Sequence, residues 1–385
     1  MTTTSNPFGA LGLTRALTDA VARQQYAQPY PIQEQAIPAI LAGKDVLGIA
    51  KTGSGKTASF VLPILQQFLH RKAVSRPEVR VLVLVPTREL AGQVAEVFQV
   101  LGERLPKPPK TVAIYGGVSI NPQMIAVRDA EILVATPGRL LDLLASNATD
   151  LLSVETLVLD EADKMLELGF ADEMDDVLAQ VPRQRQTILF SATLGDAIQT
   201  IRENLLKNPV KIEVAEPEQD LDLITQRAYR VDAERKGPFL RYLIKSGKME
   251  QVLVFVSSTR TADNLVVKLN KNGIQAAAIH SGKTQGARTD ALTRFKAGRL
   301  AVLVATDLIA RGIDIPQLPY VINFELPRSP KDYIHRIGRT GRADATGDAI
   351  SLITPDDEHH FKIIQKKMGK HVEILESEAI NLQGY

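Results

Sequence analysis

Three short stretches of this chain carry groups suited to handling a nucleoside triphosphate. The first is Ala50-Lys51-Thr52-Gly53-Ser54-Gly55-Lys56-Thr57, which follows an apolar run, Asp45 to Ile49, and precedes a helix-like stretch. Gly53 and Gly55 let the backbone curl so that successive N–H groups face one point. The positive end of the following helix adds to that anion site. Lys56 supplies a full charge to the outer phosphates, and Thr57 offers a hydroxyl to a magnesium ion. The strict pattern has Gly where Ala50 stands. The bland alternative is a glycine-rich turn with a chance Lys-Thr, and the strand-then-helix setting speaks against it. The second stretch, Val158-Leu159-Asp160-Glu161-Ala162-Asp163, closes another apolar run. An acid at a strand end opposite a phosphate loop holds magnesium. Asp160 would coordinate the ion, and Glu161 would orient or deprotonate the attacking water. Three carboxylates in four residues would also suit an acidic helix N-terminus. The third, His335-Arg336-Ile337-Gly338-Arg339-Thr340-Gly341-Arg342, puts four basic side chains in eight residues. It reads as a solvated basic turn, as a nonspecific phosphate patch, or as arginine fingers whose planar forks fit a γ-phosphate transition state.

These groups need elements to hold them. The first half alternates short apolar runs with amphipathic segments; the runs are at 45–49, 81–85, 111–115, 132–135, 156–160 and 187–191. A second series, at 252–256, 276–279, 302–305, 320–324 and 349–353, reads the same way. Strands separated by helices predict an α/β fold with parallel sheets covered on both faces. An acidic stretch, AEPEQDLDL, reads as a linker at 216–223 between domains 1–215 and 224–385. The end of the chain, from His371 to Tyr385, reads as a peripheral strand and tail, and the halves show no close internal repeat. Ligands of open parallel sheets bind beyond the C-terminal strand ends, and nearly every unusual sequence here falls at such an end.

Composition narrows the class. With 385 residues and 44% hydrophobic content, two domains can each bury a core. The net charge of +2 is not the footprint of a strongly basic nucleic-acid binder, so any such binding must come from locally arranged groups. The absence of cysteine excludes disulfides, zinc ribbons and thiol catalysis. The N-terminal MTTTSNPFGA lacks the basic segment and apolar core of a signal peptide, and no apolar stretch is long enough for a membrane span. The expectation is a cytoplasmic, soluble protein without membrane contact. His359 and His360 lack metal-ligand spacing and read as surface residues.

Asp160-Glu161-Ala162-Asp163 spells the name motif of the DEAD-box ATP-dependent RNA helicases, and the chain resembles that family over about residues 8 to 370. Ala50 is what the family uses in its phosphate loop, and the compact form most resembles bacterial members of the RhlE type. The resemblance implies two RecA-like domains, ATP and Mg2+ as ligands, and an RNA-dependent ATPase that closes its domains on ATP and RNA and opens short duplexes. An ATP-gated RNA clamp is the alternative, and a double-stranded DNA translocase a weaker one. The resemblance also assigns residues. Gln33, in Pro29-Tyr30-Pro31-Ile32-Gln33, would read adenine through its amide, with Phe8 stacking on the base. Gln25-Tyr26 stands where Gly-Phe is usual, and Tyr30 where Thr is common. Ser191-Ala192-Thr193 would couple hydrolysis to strand separation through Asp163, although two hydroxyls capping a helix would look the same. Pro86-Thr87-Arg88, Gly116-Gly117 and Thr136-Pro137-Gly138-Arg139 would contact RNA phosphates and riboses without reading bases; singly, each is a plain turn. Gly282, Gln285, Arg288, Thr306 and Asp307 would contact RNA from the second domain, although the family more often has His-Gly-Asp where His280-Ser281-Gly282 stands. Asp314 would meet the ribose, Arg339 and Arg342 would be the fingers, and His335 and Arg336 would couple the sites. The expected protein is a monomer whose RNA targets are chosen by protein partners or by sequence outside this chain.

Overall fold

The computed structural model describes residues 6–50, 53–69, 77–214, 223–307, 318–341 and 346–385. They form two compact units, Met1–Glu216 and Pro217–Tyr385. The first opens with α1 (Arg15–Arg23) and α2 (Pro31–Leu41) and continues through β1 (Val46–Ile49), α3 (Lys56–Leu69), β2 (Val81–Leu84), α4 (Arg88–Gly102) and β3 (Thr111–Ile114). Then follow α5 (Ile120–Ala126), β4 (Ile132–Ala135), α6 (Pro137–Ala145), β5 (Thr156–Leu159), α7 (Ala162–Glu167), α8 (Ala171–Leu178), β6 (Gln186–Ser191), α9 (Asp196–Leu205) and β7 (Val210–Glu213). The sheet runs β3-β4-β2-β5-β6-β1-β7, and every pairing is parallel. Central strands are covered on both faces, which is why they read as continuous apolar runs. On β2, Val81 and Val83 enter the core of one face while Leu82 and Leu84 enter that of the other.

The second unit repeats the plan with β8 (Ile224–Arg230), α10 (Lys236–Ser246), β9 (Val252–Val256), α11 (Thr259–Lys271), β10 (Ala276–Ile279), α12 (Gln285–Lys296) and β11 (Val302–Thr306). It ends with β12 (Tyr320–Asn323), α13 (Pro330–Ile337), β13 (Gly347–Ile353), α14 (Glu358–Met368) and β14 (Ile374–Glu376). Its parallel sheet runs β10-β11-β9-β12-β13-β8-β14, the order of the first sheet strand for strand. The α/β expectation of two RecA-like folds therefore holds. Strands β7 and β8 were not foreseen. The linker reading, 216–223, lies outside the described residues apart from Leu223.

One buried carboxylate ties the first sheet together below the site. Asp45 accepts the N–H of Thr187 at 2.8 Å and that of Lys207 at 2.7 Å. This anchors the start of β1 to β6 and to the approach to β7. Gly48 in β1 makes room for its neighbour: a Cβ there would lie 2.2 Å from the Phe190 ring of β6.

Candidate functional site

Because all strands of the first unit are parallel, their C-terminal ends share one edge. Across the sheet that edge presents Gly116-Gly117 after β3, Thr136–Arg139 after β4, Pro86–Arg88 after β2, Asp160–Asp163 after β5, Ser191–Thr193 at the end of β6 and the phosphate loop after β1. Strand spacing of about 4.8 Å puts β1 and β5 roughly 10 Å apart with β6 between them. The order separates a half carrying the glycine loop and the acidic motif from a half lined by exposed turns.

In the phosphate loop, Gly53 and Gly55 have φ of 89° and 86°, a region that side chains rarely enter. Lys56 is buried, and its Nζ donates to the Ala50 carbonyl at 2.7 Å. Ser54 and Thr57 are half-buried, and Thr52 lies outside the described residues. Gln33 has 2% exposure, and both halves of its amide are occupied. Its Oε1 accepts the Tyr30 N–H at 3.0 Å, and its Nε2 donates to the Gly55 carbonyl at 3.0 Å. Gln33 therefore ties α2 to the phosphate loop here, and reading adenine would require giving up these bonds. Phe8 needs a correction: it has 0% exposure inside the core, so its ring offers no face to a base. The aromatic surface at the loop is instead Tyr30, 55% exposed, whose ring would meet a Cβ on Gly55 at 2.8 Å. Its signal in the sequence was the departure from the family's usual Thr.

At the end of β5, Asp160 and Glu161 are both buried. Glu161 caps α7 in the left-handed region, φ 52° and ψ 48°, which costs a non-glycine residue about 1 kcal/mol; such strain gathers at active sites. Burial pushes the Asp160 carboxyl up to about 6, against the opposing pull of the Lys56 ammonium, with the neighbouring Glu161 carboxylate adding to the rise. An undercompensated buried carboxylate beside a phosphate loop fits a divalent cation. Among the described residues no cluster of three or more His, Cys, Asp or Glu could hold a metal. Glu161 Oε2 pairs with Lys164 Nζ at 3.0 Å. Asp163 Oδ2 accepts the Thr193 hydroxyl at 3.1 Å and the Ala192 N–H at 3.2 Å, while Ser191 Oγ donates to the Thr193 carbonyl at 2.7 Å. The structure thus joins Asp163, Ser191 and Thr193 in one bonded group.

The turns of the other half also meet. The Arg88 guanidinium packs on Gly117, where a Cβ would lie 1.9 Å from Nη1. Arg139 donates to the Val118 carbonyl at 2.9 Å. Thr87 caps α4 by accepting the Leu90 N–H. Pro86, Thr136 and Pro137 are buried and shape the turns from beneath, leaving Gly116, Gly117, Gly138, Thr87, Arg88 and Arg139 at least partly exposed.

In the second unit, Gly282 is exposed, but Arg288 is not. At 3% exposure it donates to Gln285 Oε1 at 2.5 Å, so its expected place on an open RNA surface is corrected to an inward brace. Arg336 is buried as well: its Nε and Nη2 grip Asp307 at 2.5 and 2.7 Å, and Nη1 donates to Asn323 Oδ1 and the Glu325 carbonyl. Thr306 and His335 are half-buried, and Arg339 has 9% exposure. Asp314 and Arg342 lie outside the described residues.

Two family models match the chain. "DEAD/DEAH box helicase" covers residues 30–201, and "Helicase conserved C-terminal domain" covers residues 235–344. The chain is 39% identical to the DEAD-box ATP-dependent RNA helicase CshA of Bacillus licheniformis, over 97% of its own length and 76% of that relative's. It is also 39% identical to CshA of Bacillus subtilis, over 98% and 76%. The solved structure of S. cerevisiae Dbp5 bound to RNA and ADP BeF3 is similar with a TM-score of 0.80 at 30% identity, covering 97% of this chain and 96% of that one. These relatives carry the CshA name, so the likeness to the RhlE type finds no support among them. Among the described residues no helix is long and apolar enough to cross a membrane.

Proposed function

Because this chain belongs to the DEAD-box ATP-dependent RNA helicases, we propose that it couples ATP hydrolysis to the local opening of short RNA duplexes or the remodelling of RNA–protein complexes, through the residues described above. The observation that carries the assignment is the hydrogen-bonded link from Asp163 to Thr193, between the acidic motif of β5 and the end of β6. It lies on the edge that holds the phosphate loop at one side and the exposed turns at the other.

In this reading the loop N–H groups and Lys56 take the ATP phosphates, and Lys56 exchanges the Ala50 carbonyl for them. Thr57 and Asp160 would hold Mg2+, which when bound neutralises charge on the β- and γ-phosphate oxygens. Glu161 orients the attacking water and accepts its proton; the new P–O bond forms as the bond to the β–γ bridging oxygen breaks, leaving ADP and phosphate. Arg339 and Arg342 come from the second unit to stabilise the charge of the transferring phosphoryl group. Hydrolysis then requires the two units to close, and RNA held by Thr87, Arg88, Gly116, Gly117, Gly138 and Arg139, with Gly282 and Thr306, favours that closed form. Backbone contacts of this kind are largely sequence-independent, so RNA choice falls to protein partners. The protein works as a monomer in the cytoplasm.

Steady-state ATP hydrolysis with generic single-stranded RNA, and with DNA of matched sequence, tests the reading. RNA alone should stimulate. Arg339→Ala should bind a fluorescent ATP analogue normally while losing about a thousandfold or more of stimulated turnover. Normal stimulated turnover in that variant would remove the finger assignment.

A further inference from the structure

The Glu161–Lys164 contact has no part in the motif reading. Its geometry is that of a built pair: 3.0 Å between Nζ and Oε2, with side-chain exposures of 12% and 8%. We propose that Lys164 is a positioning residue for Glu161, holding its carboxylate by this near-buried ion pair in the orientation from which it acts on water. The inference rests on the reading of Glu161 as that group.

Three observations support it. Glu161 is a strained, left-handed cap whose side chain makes no capping bond to α7, so the helix end does not fix its carboxylate. Lys56 also acts on the neighbouring Asp160 carboxyl, but it faces Ala50 and is the group that phosphates would draw away. Lys164 instead faces the Glu161 carboxylate. It is itself held in place, because its backbone N–H donates to Asp163 Oδ1 at 3.1 Å, and Asp163 is bonded to Thr193. A base oriented by a third group is a recurring arrangement in hydrolytic sites. Removing one partner of a buried ion pair leaves the other charge uncompensated, so the carboxylate must seek another position.

The test compares Lys164→Ala, Lys164→Arg and Glu161→Gln in the full chain. RNA-stimulated kcat and KM for ATP are measured alongside affinity for a fluorescent ATP analogue and urea stability. Lys164→Ala should lose about tenfold or more in kcat with KM and nucleotide affinity changed less than about twofold. Lys164→Arg, which keeps the charge, should recover most of the loss. Retention of kcat within about twofold in Lys164→Ala, alongside an inactive Glu161→Gln, would overturn the inference and leave the function standing. A loss matched by weakened nucleotide binding, or one that arginine does not repair, would overturn it too. An active Glu161→Gln would instead remove the base assignment on which both depend.

Discussion

Arg336 spends its guanidinium on protein groups: both Asp307 oxygens, Asn323 Oδ1 and the Glu325 carbonyl, with the Phe255 ring 4.9 Å from its Cζ. A family pattern marks such an arginine as coupling two ligands; the fold makes it the brace that holds Asp307 at the end of β11. Lysine cannot reproduce a planar fork. Arg336→Lys should therefore destabilise the protein, and Arg336→Ala should cost roughly 3–5 kcal/mol by stranding the Asp307 charge; urea unfolding measures both. Asp160 carries the opposite kind of cost. Its carboxyl titrates at about 6 in the fold against 3.8 for an ordinary aspartate. Between those values the folded chain keeps a proton that the unfolded chain has lost, so stability falls as pH rises through the window and the penalty is complete above it. Without nucleotide or divalent ions, Asp160→Asn should stabilise the chain at neutral pH by roughly 1–3 kcal/mol, with the gain vanishing below about pH 4. The same substitution should abolish hydrolysis. Equal stabilisation at both pH values would show that burial of the charge is not the cause.

At the scale of elements, β1 is fitted to β6 through Gly48, and β1 leads straight into the phosphate loop. Gly48→Ala drives a methyl into the Phe190 ring. It should cost roughly 1–3 kcal/mol as an overpacked core position and raise KM for ATP. Pairing it with Phe190→Leu should restore stability, which thermal unfolding would follow. The central strands were legible because two-sided burial writes itself as apolar runs such as Val81–Leu84. β7 and β8 were not. Only Ile212 of β7 is buried, and β8 alternates buried Ile224 and Ala228 with polar residues, so neither gives a continuous run. The loop glycines, Lys56 and the acidic motif were legible for a related reason: backbone geometry and charge restrict residue type tightly there. The inward turn of Arg288 and the burial of Phe8 were not, because residue type does not say which way a side chain faces. The Glu161–Lys164 pair was hidden by its ordinariness, an i,i+3 charge pair like many on exposed helices.

The whole molecule uses one strand order twice, yet only the first unit follows its second-last strand position, β1, with a glycine loop. After β8, the equivalent strand, the chain continues Val231-Asp232-Ala233, which cannot cradle phosphates. In the proposed function one unit would hold the triphosphate and the other would supply arginines, so ATP and RNA would act on a shared closed form. Linkage makes their effects reciprocal. The factor by which RNA tightens a nonhydrolysable ATP analogue should equal the factor by which that analogue tightens RNA, within error of titrations done in both directions. Unequal factors would mean that a third state takes part.

The bond from Lys56 to the Ala50 carbonyl gives the loop a built-in competitor. An anion that approaches must replace that carbonyl as well as shed its own water, and a lone sulfate or inorganic phosphate has few further contacts with which to offset the exchange. A triphosphate brings several at once. If the loop takes phosphates as proposed, the lysine's self-satisfaction would set a threshold on ligand valence, favouring chains of phosphates over single ones.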